Sequence, residues 1–294
     1  MNNNKIKTWW LAARPKTLPA AASPVIMGTA MAVADGVFHL PSAIVAFLGA
    51  LLIQVGTNYA NDYFDFKKGA DTEHRIGPTR ATQAGWVTPE SMKRAFILTF
   101  GLAFVIGMYL VFRGGWPILM IGVASILFGI LYTGGPSPLG YNGTADFFVL
   151  IFFGPVAVGG TYYVQSLDIN TIVLLAGLAP GFISTAILTV NNLRDVFSDR
   201  DAGKRTLVVR FGVVFGRMEY LVCLIVASCV PVILYVLHGG SVFAVMASLA
   251  LLIAIPDIKT IWKISGSPVL NNVLANTGRF LFLFSLLFSI GWLI

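Results

Sequence analysis

Charged residues are scarce in this chain. Only 11% of its 294 residues are Asp, Glu, Lys or Arg, while 56% are hydrophobic, and an ordinary soluble protein carries about 25% charged residues. This balance excludes a conventional soluble domain, because so much apolar surface requires lipid as its solvent. The formal charge of +7 does not indicate a nucleic-acid partner, since the basic residues lie in the connections between apolar stretches.

Metal-binding and nucleophilic residue types are also rare. The two cysteines, Cys223 and Cys229, lie in one apolar stretch, and three scattered histidines complete the set. No spacing among them is typical of a zinc site. The chain also lacks a phosphate-loop lysine motif and a G-x-S-x-G elbow. Zinc hydrolases, P-loop enzymes and serine acyltransferases are therefore excluded.

Long apolar stretches are what the chain has in abundance. A membrane-spanning helix needs about 20 mostly apolar residues, whereas the strands of a membrane barrel are shorter and alternate in polarity. The stretches predict an all-α membrane protein with about nine transmembrane helices. The predicted spans are residues 17–34, 41–60, 94–112, 116–133, 144–164, 171–191, 217–237, 240–256 and 276–294.

The basic residues predict how these spans are oriented. In a nine-span arrangement every lysine and arginine except Arg113 falls on the side of the N-terminus. Basic residues accumulate on the cytoplasmic side of membrane proteins, so the N-terminus is predicted to be cytoplasmic. The long polar connections 61–93 and 192–216 lie on that side, which is where we expect the chemistry. We interpret residues 1–294 as one domain with two related halves, roughly 1–133 and 134–294.

Two acidic segments follow spans two and six at the cytoplasmic side. Residues three or four apart share a helix face, so each segment predicts a stripe of oxygen ligands if its helix continues beyond the membrane. The first stripe is Asn58, Asn61, Asp62 and Asp65, and the second is Asn191, Asp195 and Asp199. Clustered carboxylates repel one another, and Mg²⁺ binds such oxygens together with substrate phosphates. Two facing stripes therefore predict a magnesium-bound diphosphate.

Two other interpretations of these acids stay open at this point. They could be solvated charges at helix ends, although two segments of matching layout disfavour this. They could also belong to an ion-coupled transporter, which would place charged residues near the middle of its spans. Here the acids stand at the span ends and are followed by lysines, an order that favours diphosphate binding.

The two segments resemble the aspartate motifs of the UbiA superfamily of intramembrane prenyltransferases. The family forms are NDxxDxxxD and DxxxD, which match Asn61-Asp62-x-x-Asp65 and Asp195-x-x-x-Asp199. Gly69 stands where the first motif ends in Asp, and Asp71 follows two residues later. The surrounding stretches are similar to the members that act on 1,4-dihydroxy-2-naphthoate in menaquinone synthesis. These stretches are 13–19, 61–69, 132–136 and 191–207.

The resemblance implies a reaction and a location. The fold would be nine helices around a central cavity that opens to lipid, in a bacterial cytoplasmic membrane with the active site on the cytoplasmic side. A polyprenyl diphosphate donor and Mg²⁺ would prenylate 1,4-dihydroxy-2-naphthoate, with loss of carbon dioxide, to give demethylmenaquinol. Another aromatic acceptor, such as 4-hydroxybenzoate, stays open as an alternative.

The resemblance and the residue chemistry together assign roles. The predicted metal ligands are Asn58, Asn61, Asp62, Asp65, Asn191, Asp195 and Asp199, of which the four aspartates are also the predicted catalytic residues. The predicted diphosphate contacts are Lys204 and Arg205, then Lys67, Lys68 and Arg80. Aromatic faces attract cations, so the allylic cation is expected to pass Tyr63, Phe64 and Tyr132. The predicted partners of the acceptor carboxylate are Arg14, Lys16 and Arg75.

Overall fold

A computed structural model describes residues 2–69 and 76–294, with side chains from residue 5 onward. Asp71 and Arg75 lie outside the described residues. The described chain is helical, and its α-helices are α1 (Asn2–Ala12), α2 (Leu18–Ala34), α3 (Leu40–Lys67), α4 (Pro89–Gly114), α5 (Trp116–Leu131), α6 (Leu139–Asn142), α7 (Ala145–Phe152), α8 (Pro155–Ser166), α9 (Thr171–Asp201), α10 (Leu207–Phe211), α11 (Val213–His238), α12 (Leu251–Lys263) and α13 (Leu270–Leu293). The segments Pro15–Thr17 and Val242–Ala250 are 3₁₀-helical.

The helices form the predicted set of spans. Within the described residues, eight helical segments are long and apolar enough to cross a membrane. A ninth apolar helix, α5, has 16 residues and measures about 24 Å, which is short for a hydrocarbon core of about 30 Å. The prediction of an all-α membrane protein with about nine spans is confirmed.

Two of the helices are longer than the spans that the apolar stretches predicted. The predicted spans 41–60 and 171–191 are parts of α3 and α9, which run on to Lys67 and Asp201. Both aspartate segments therefore lie on continuous helix, where their four-residue spacing sets them on one side. The Asn170 side chain begins α9 by accepting a hydrogen bond from the Val173 amide, as an N-cap residue does.

The fifth span is broken in two where α9 passes closest to it. Gly154 separates α7 from α8, and Gly177 and Gly181 of α9 face this break. A Cβ on Gly181 would lie 2.4 Å from the Leu150 carbonyl oxygen, so only glycine permits this approach of two backbones. The contact fixes α7 against α9, and these two helices form one wall of the central cavity.

Two apolar cores hold the spans around that cavity. The larger joins α2, α9, α11 and α13, and the smaller lies at the C-terminal end of α3 and the N-terminal end of α4, around Tyr59, Tyr63 and Phe96. Between them, helices α2, α3, α4, α5, α7, α8 and α9 enclose a cavity of about 440 Å³. The end of the cavity beside the last turns of α3 and α9 is polar and its remaining wall is largely apolar, so it suits a ligand with a charged group beside a long apolar one.

Candidate functional site

Both aspartate segments face the same cavity. Helix α3 and helix α9 bring their last turns to its polar end. The polar residues that line it there are Asn58, Asn61, Asp65, Arg80, Asn191, Asn192, Asp195, Asp199 and Lys204. Two acidic helix ends that the sequence separates by about 130 residues therefore share one pocket, as a ligand bound between them requires.

The asparagines of the first segment are held by their neighbours. The Asn58 amide nitrogen donates to the Ala13 carbonyl oxygen at 2.9 Å and to the Thr17 hydroxyl at 3.0 Å. The Asn61 side-chain oxygen accepts a hydrogen bond from the Thr133 hydroxyl at 2.9 Å. These bonds fix both side chains at the cavity wall, through the amide nitrogen in Asn58 and through the amide oxygen in Asn61.

Asp65 lies between a cation and a phenol. Arg80 Nη2 lies 2.6 Å from one carboxylate oxygen, and the Tyr141 hydroxyl donates to the other at 2.9 Å. The ammonium groups of Lys68 and Lys204 lie 4.9 and 4.8 Å from the centre of the Tyr141 ring. Tyr141 thus links Asp65 of the first segment with Lys204 of the second.

Arg194 organises the second segment. This arginine is 1% exposed. Two of its nitrogens bind the Asp195 carboxylate: Nε lies 2.8 Å from one oxygen, and Nη2 contacts the other. The same guanidinium donates to the side-chain oxygens of Asn191 at 2.7 Å and Asn271 at 2.9 Å. Asp199, one helical turn further along α9, forms an ion pair with Lys204 at 3.2 Å.

The cations predicted for diphosphate lie at different distances from the cavity. Lys204 and Arg80 line it, whereas Arg205 is exposed elsewhere, on the surface beside Arg210. Lys67 is exposed over the Tyr63 ring. Lys68 donates to the Thr133 and Gly135 carbonyl oxygens at 2.7 and 3.2 Å, and burial lowers the pKa of its ammonium group. The positions of these cations in the sequence did not show which of them line the cavity.

Only some of the residues predicted to bind the acceptor or to line the path of the cation lie at the cavity. Arg14 and Tyr132 line the cavity, while Lys16 is exposed on the surface.

Tyr63 and Phe64 do not line the cavity. Their rings pack on each other at 5.1 Å and against Phe96 of α4 at 5.6 and 5.8 Å. They lie beside Asp62 and Asp65 in sequence, but the helix directs them away from the pocket and into the smaller apolar core. Packing between helices accounts for their position.

Comparison with known proteins agrees with this geometry. The model of the UbiA prenyltransferase family matches residues 21–284. The chain belongs to this family. It is 38% identical to the 1,4-dihydroxy-2-naphthoate octaprenyltransferase of Escherichia coli, over 98% of this chain and 96% of that protein. It is 36% identical to the protein of the same name from Haemophilus influenzae, over 100% of this chain and 98% of that protein.

Solved UbiA structures share the fold. A UbiA homologue from Aeropyrum pernix superposes with a TM-score of 0.71 at 12% identity, covering 92% of this chain and 97% of that one. A homologue from Archaeoglobus fulgidus bound to GPP and Mg²⁺ superposes with a TM-score of 0.64 at 14% identity, covering 96% and 99%. This likeness establishes the arrangement of helices.

The oxygen donors of this UbiA protein fit magnesium that is shared with a phosphate ligand. In the part of the chain that the structure describes, no three His, Cys, Asp or Glu residues are grouped closely enough to hold a metal ion. Mg²⁺ is usually bound by one or two carboxylates plus waters and substrate phosphates, rather than by a complete protein cage. Pairs of carboxylates and amides around a pocket large enough for a diphosphate meet that requirement.

Two organising residues of the site were absent from the sequence-based assignments. Tyr141 contacts Asp65 from a position 76 residues away, and Arg194 contacts Asn271 from 77 residues away. Local spacing carries no signal for contacts of this range. A signal did exist for Arg194, because an arginine directly beside an aspartate at the end of a membrane span needs a partner there.

Proposed function

We propose that this protein transfers a polyprenyl chain from polyprenyl diphosphate to 1,4-dihydroxy-2-naphthoate. The observation that supports it best is a single cavity with two asparagine–aspartate helix ends at its polar end and apolar helices along the rest. The C–O bond of the donor breaks and a carbon–carbon bond forms to the naphthoate ring. Diphosphate and carbon dioxide leave, and the product is demethylmenaquinol.

The choice of acceptor rests on full-length relatives. Nearly the entire chain matches two relatives named 1,4-dihydroxy-2-naphthoate octaprenyltransferase, those of Escherichia coli and Haemophilus influenzae, at 36–38% identity. Arg14 and Tyr132, which line the cavity, offer a cation and a ring face to any flat aromatic acid. An acceptor such as 4-hydroxybenzoate is therefore the alternative that the experiment below must separate.

The side chains at the polar end hold the diphosphate and its counter-ions. The ligands proposed for Mg²⁺ are Asn58, Asn61, Asp65, Asn191, Asp195 and Asp199, all of which line the cavity. Mg²⁺ held by these residues would neutralise the charge that develops on the departing diphosphate. Lys204 and Arg80 are proposed to contact phosphate oxygens directly, since charge-assisted hydrogen bonds to phosphate are strong. Asp62 is treated separately below.

The cavity wall next to the polar end is proposed to orient the acceptor. Tyr132 presents a neutral aromatic ring, whose face stabilises an adjacent allylic cation. Arg14 lines the same region and offers a guanidinium for the acceptor carboxylate. Because the dihydroxynaphthoate ring is electron-rich, the main task of these residues is to hold its reactive carbon near the cation.

The site is proposed to open to the cytoplasm of a bacterial cell. The nineteen basic residues on the side of the N-terminus support this orientation of an inner-membrane protein. The aromatic acid, a soluble reactant, and diphosphate, a soluble product, then exchange with the cytoplasm. The prenyl chain stays within the membrane thickness.

One assay tests the proposal. Purified protein is incubated with Mg²⁺, labelled polyprenyl diphosphate and each of several aromatic acids, and products are identified by mass spectrometry. We expect a decarboxylated prenyl naphthalenediol with 1,4-dihydroxy-2-naphthoate only. A carboxylated product from 4-hydroxybenzoate would favour the alternative acceptor. Ion uptake into vesicles without release of diphosphate would support a transporter instead.

One substitution at the apolar end of the cavity should limit the length of the prenyl donor that the protein accepts. Gly49 of α3 lines the cavity, and a Cβ there meets no atom within 4 Å. It lies roughly 24 Å along the helix axis from Asp65, and an extended isoprene unit spans about 5 Å, since a C–C bond measures about 1.5 Å. The fifth isoprene unit of a donor therefore reaches this position.

Gly49→Phe is expected to lower kcat/KM for an eight-unit donor by about 5- to 150-fold, the range that corresponds to overpacking costs of 1–3 kcal/mol. The geranyl donor, with two units, should react as with the wild type. The measurement is the ratio of kcat/KM for the two donors. Gly101→Phe is the control, because Gly101 is exposed on α4 with nothing within 4 Å. An unchanged ratio in Gly49→Phe would place the tail elsewhere.

A further inference from the structure

Asp62 differs from the other acids of the two segments. It is 1% exposed, and it is not among the residues that line the cavity. One carboxylate oxygen accepts a hydrogen bond from the Ala81 amide at 2.9 Å, and the other accepts one from the Thr82 amide at 3.0 Å. Both oxygens are thus used by backbone groups of the connection between α3 and α4.

These two amides begin a compact turn. Within it, the Ala84 amide donates to the Arg80 carbonyl oxygen and the Trp86 amide donates to the Ala81 carbonyl oxygen. The first amides of such a turn have no partner inside it and need an acceptor from elsewhere. The Asp62 carboxylate supplies that acceptor, as an N-cap residue does for a helix, although it comes from another segment.

The turn delivers Arg80 to the cavity. Arg80 directly precedes the two bonded amides, is 5% exposed, and lies 2.6 Å from Asp65. Asp62 and Asp65 are three residues apart on α3. One helix therefore holds both the backbone of the turn, through Asp62, and the Arg80 side chain, through Asp65. We infer that Asp62 is a positioning residue that fixes Arg80 beside Asp65 and the diphosphate, and that it does not bind the metal.

This inference rests on the proposed function, because Arg80 is taken to meet a phosphate oxygen. It gives the adjacent motif residues Asn61 and Asp62 different roles, because their side chains lie in different surroundings. Asn61 and Asp65 lie one helical turn apart and face the pocket, whereas Asp62 stands at the edge of that face and is turned toward the loop. A metal ligand needs a carboxylate oxygen at the pocket, while a cap needs backbone amides within hydrogen-bond distance, and Asp62 has the second environment.

Trypsin provides the first test. In Asp62→Ala the turn loses its cap, so the Arg80–Ala81 bond should become accessible, and we expect cleavage there about tenfold faster than in the wild type, in line with the loss of a cap. The cleavage site is identified by mass spectrometry of the folded protein in detergent. Asp201→Asn is the matched variant and should leave the turn intact, because Asp201 is exposed at the end of α9. Equal cleavage rates in wild type and Asp62→Ala would overturn the inference.

Magnesium titration provides the second test and does not depend on turnover. Thermal stabilisation by Mg²⁺ in the presence of inorganic pyrophosphate is measured for wild type, Asp62→Asn and Asp65→Asn. We expect the half-maximal Mg²⁺ concentration to stay within about twofold of wild type in Asp62→Asn and to rise about tenfold or more in Asp65→Asn. Equal shifts in both variants would make Asp62 a metal ligand. No stabilisation of the wild type would count against the proposed function itself.

A double-mutant cycle completes the assignment. If Asp62 acts through Arg80, then Asp62→Asn should lower kcat/KM about tenfold in the wild type but less than about twofold in Arg80→Gln. Independent effects would multiply in the double variant. Additive losses would show that Asp62 acts at the pocket by itself.

Discussion

Asp65→Asn and Asp195→Asn are each expected to lower kcat about 100- to 1,000-fold, comparable to the removal of one electrostatic contact from a preorganised site. The two residues lie in the last turns of different helices, α3 and α9, and line one polar pocket. An amide keeps the size of the side chain but loses the negative charge that a divalent cation requires. Turnover with saturating donor and acceptor is the measurement, and membrane insertion should be unchanged.

The matched control for this pair lies on the same helix as Asp195. Asp201 is exposed at the end of α9 and does not line the cavity, so Asp201→Asn should stay within about twofold of wild type. The double variant Asp65→Asn/Asp195→Asn should lose little more than either single variant, because residues that act as one unit are not additive. Near-normal turnover in either single variant would remove that residue from the metal site.

The number of spans and their order along the chain could be predicted from the sequence. Apolar length and the distribution of basic residues gave nine spans with both acidic segments on one side, and the structure confirms the spans. These properties are local or additive along the chain, which is why they can be counted without knowing any tertiary contact. The relation between the two halves of the chain stays a prediction.

The side-chain roles within the site were harder to predict. Helical spacing placed Asn61, Asp62 and Asp65 on one stripe, but it could not show that a turn some 20 residues later would take both oxygens of Asp62. Tyr63 and Phe64 resembled cavity residues only through their position beside the motif. A helix periodicity identifies which residues are neighbours on a surface, whereas the partner of that surface depends on the fold of the other segments.

Buried charge makes the second segment sensitive to the loss of one residue. Arg194 is the largest side chain that is almost fully buried, and its guanidinium neutralises Asp195. Removing one partner of a buried ion pair leaves the other charge uncompensated, at a cost of about 3–5 kcal/mol. Arg194→Leu should therefore unfold at clearly lower temperature than the wild type in the same detergent. Arg279→Gln is the control, because Arg279 is exposed and bonds Asn276 at 3.3 Å.

Two further measurements distinguish lost charge from lost packing as the cause of the lower stability of Arg194→Leu. Replacing both partners, in Arg194→Leu/Asp195→Leu, should recover most of the lost stability, because no charge then stays buried. Adding Mg²⁺ with pyrophosphate should raise the melting temperature of Arg194→Leu more than that of the wild type, since a cation at Asp195 would replace the missing guanidinium. If the double variant were as unstable as Arg194→Leu and the ions had no larger effect on it, the guanidinium would act by packing alone. Asp195 would then have no need of a positive neighbour, and its place in the metal site would lose its electrostatic basis.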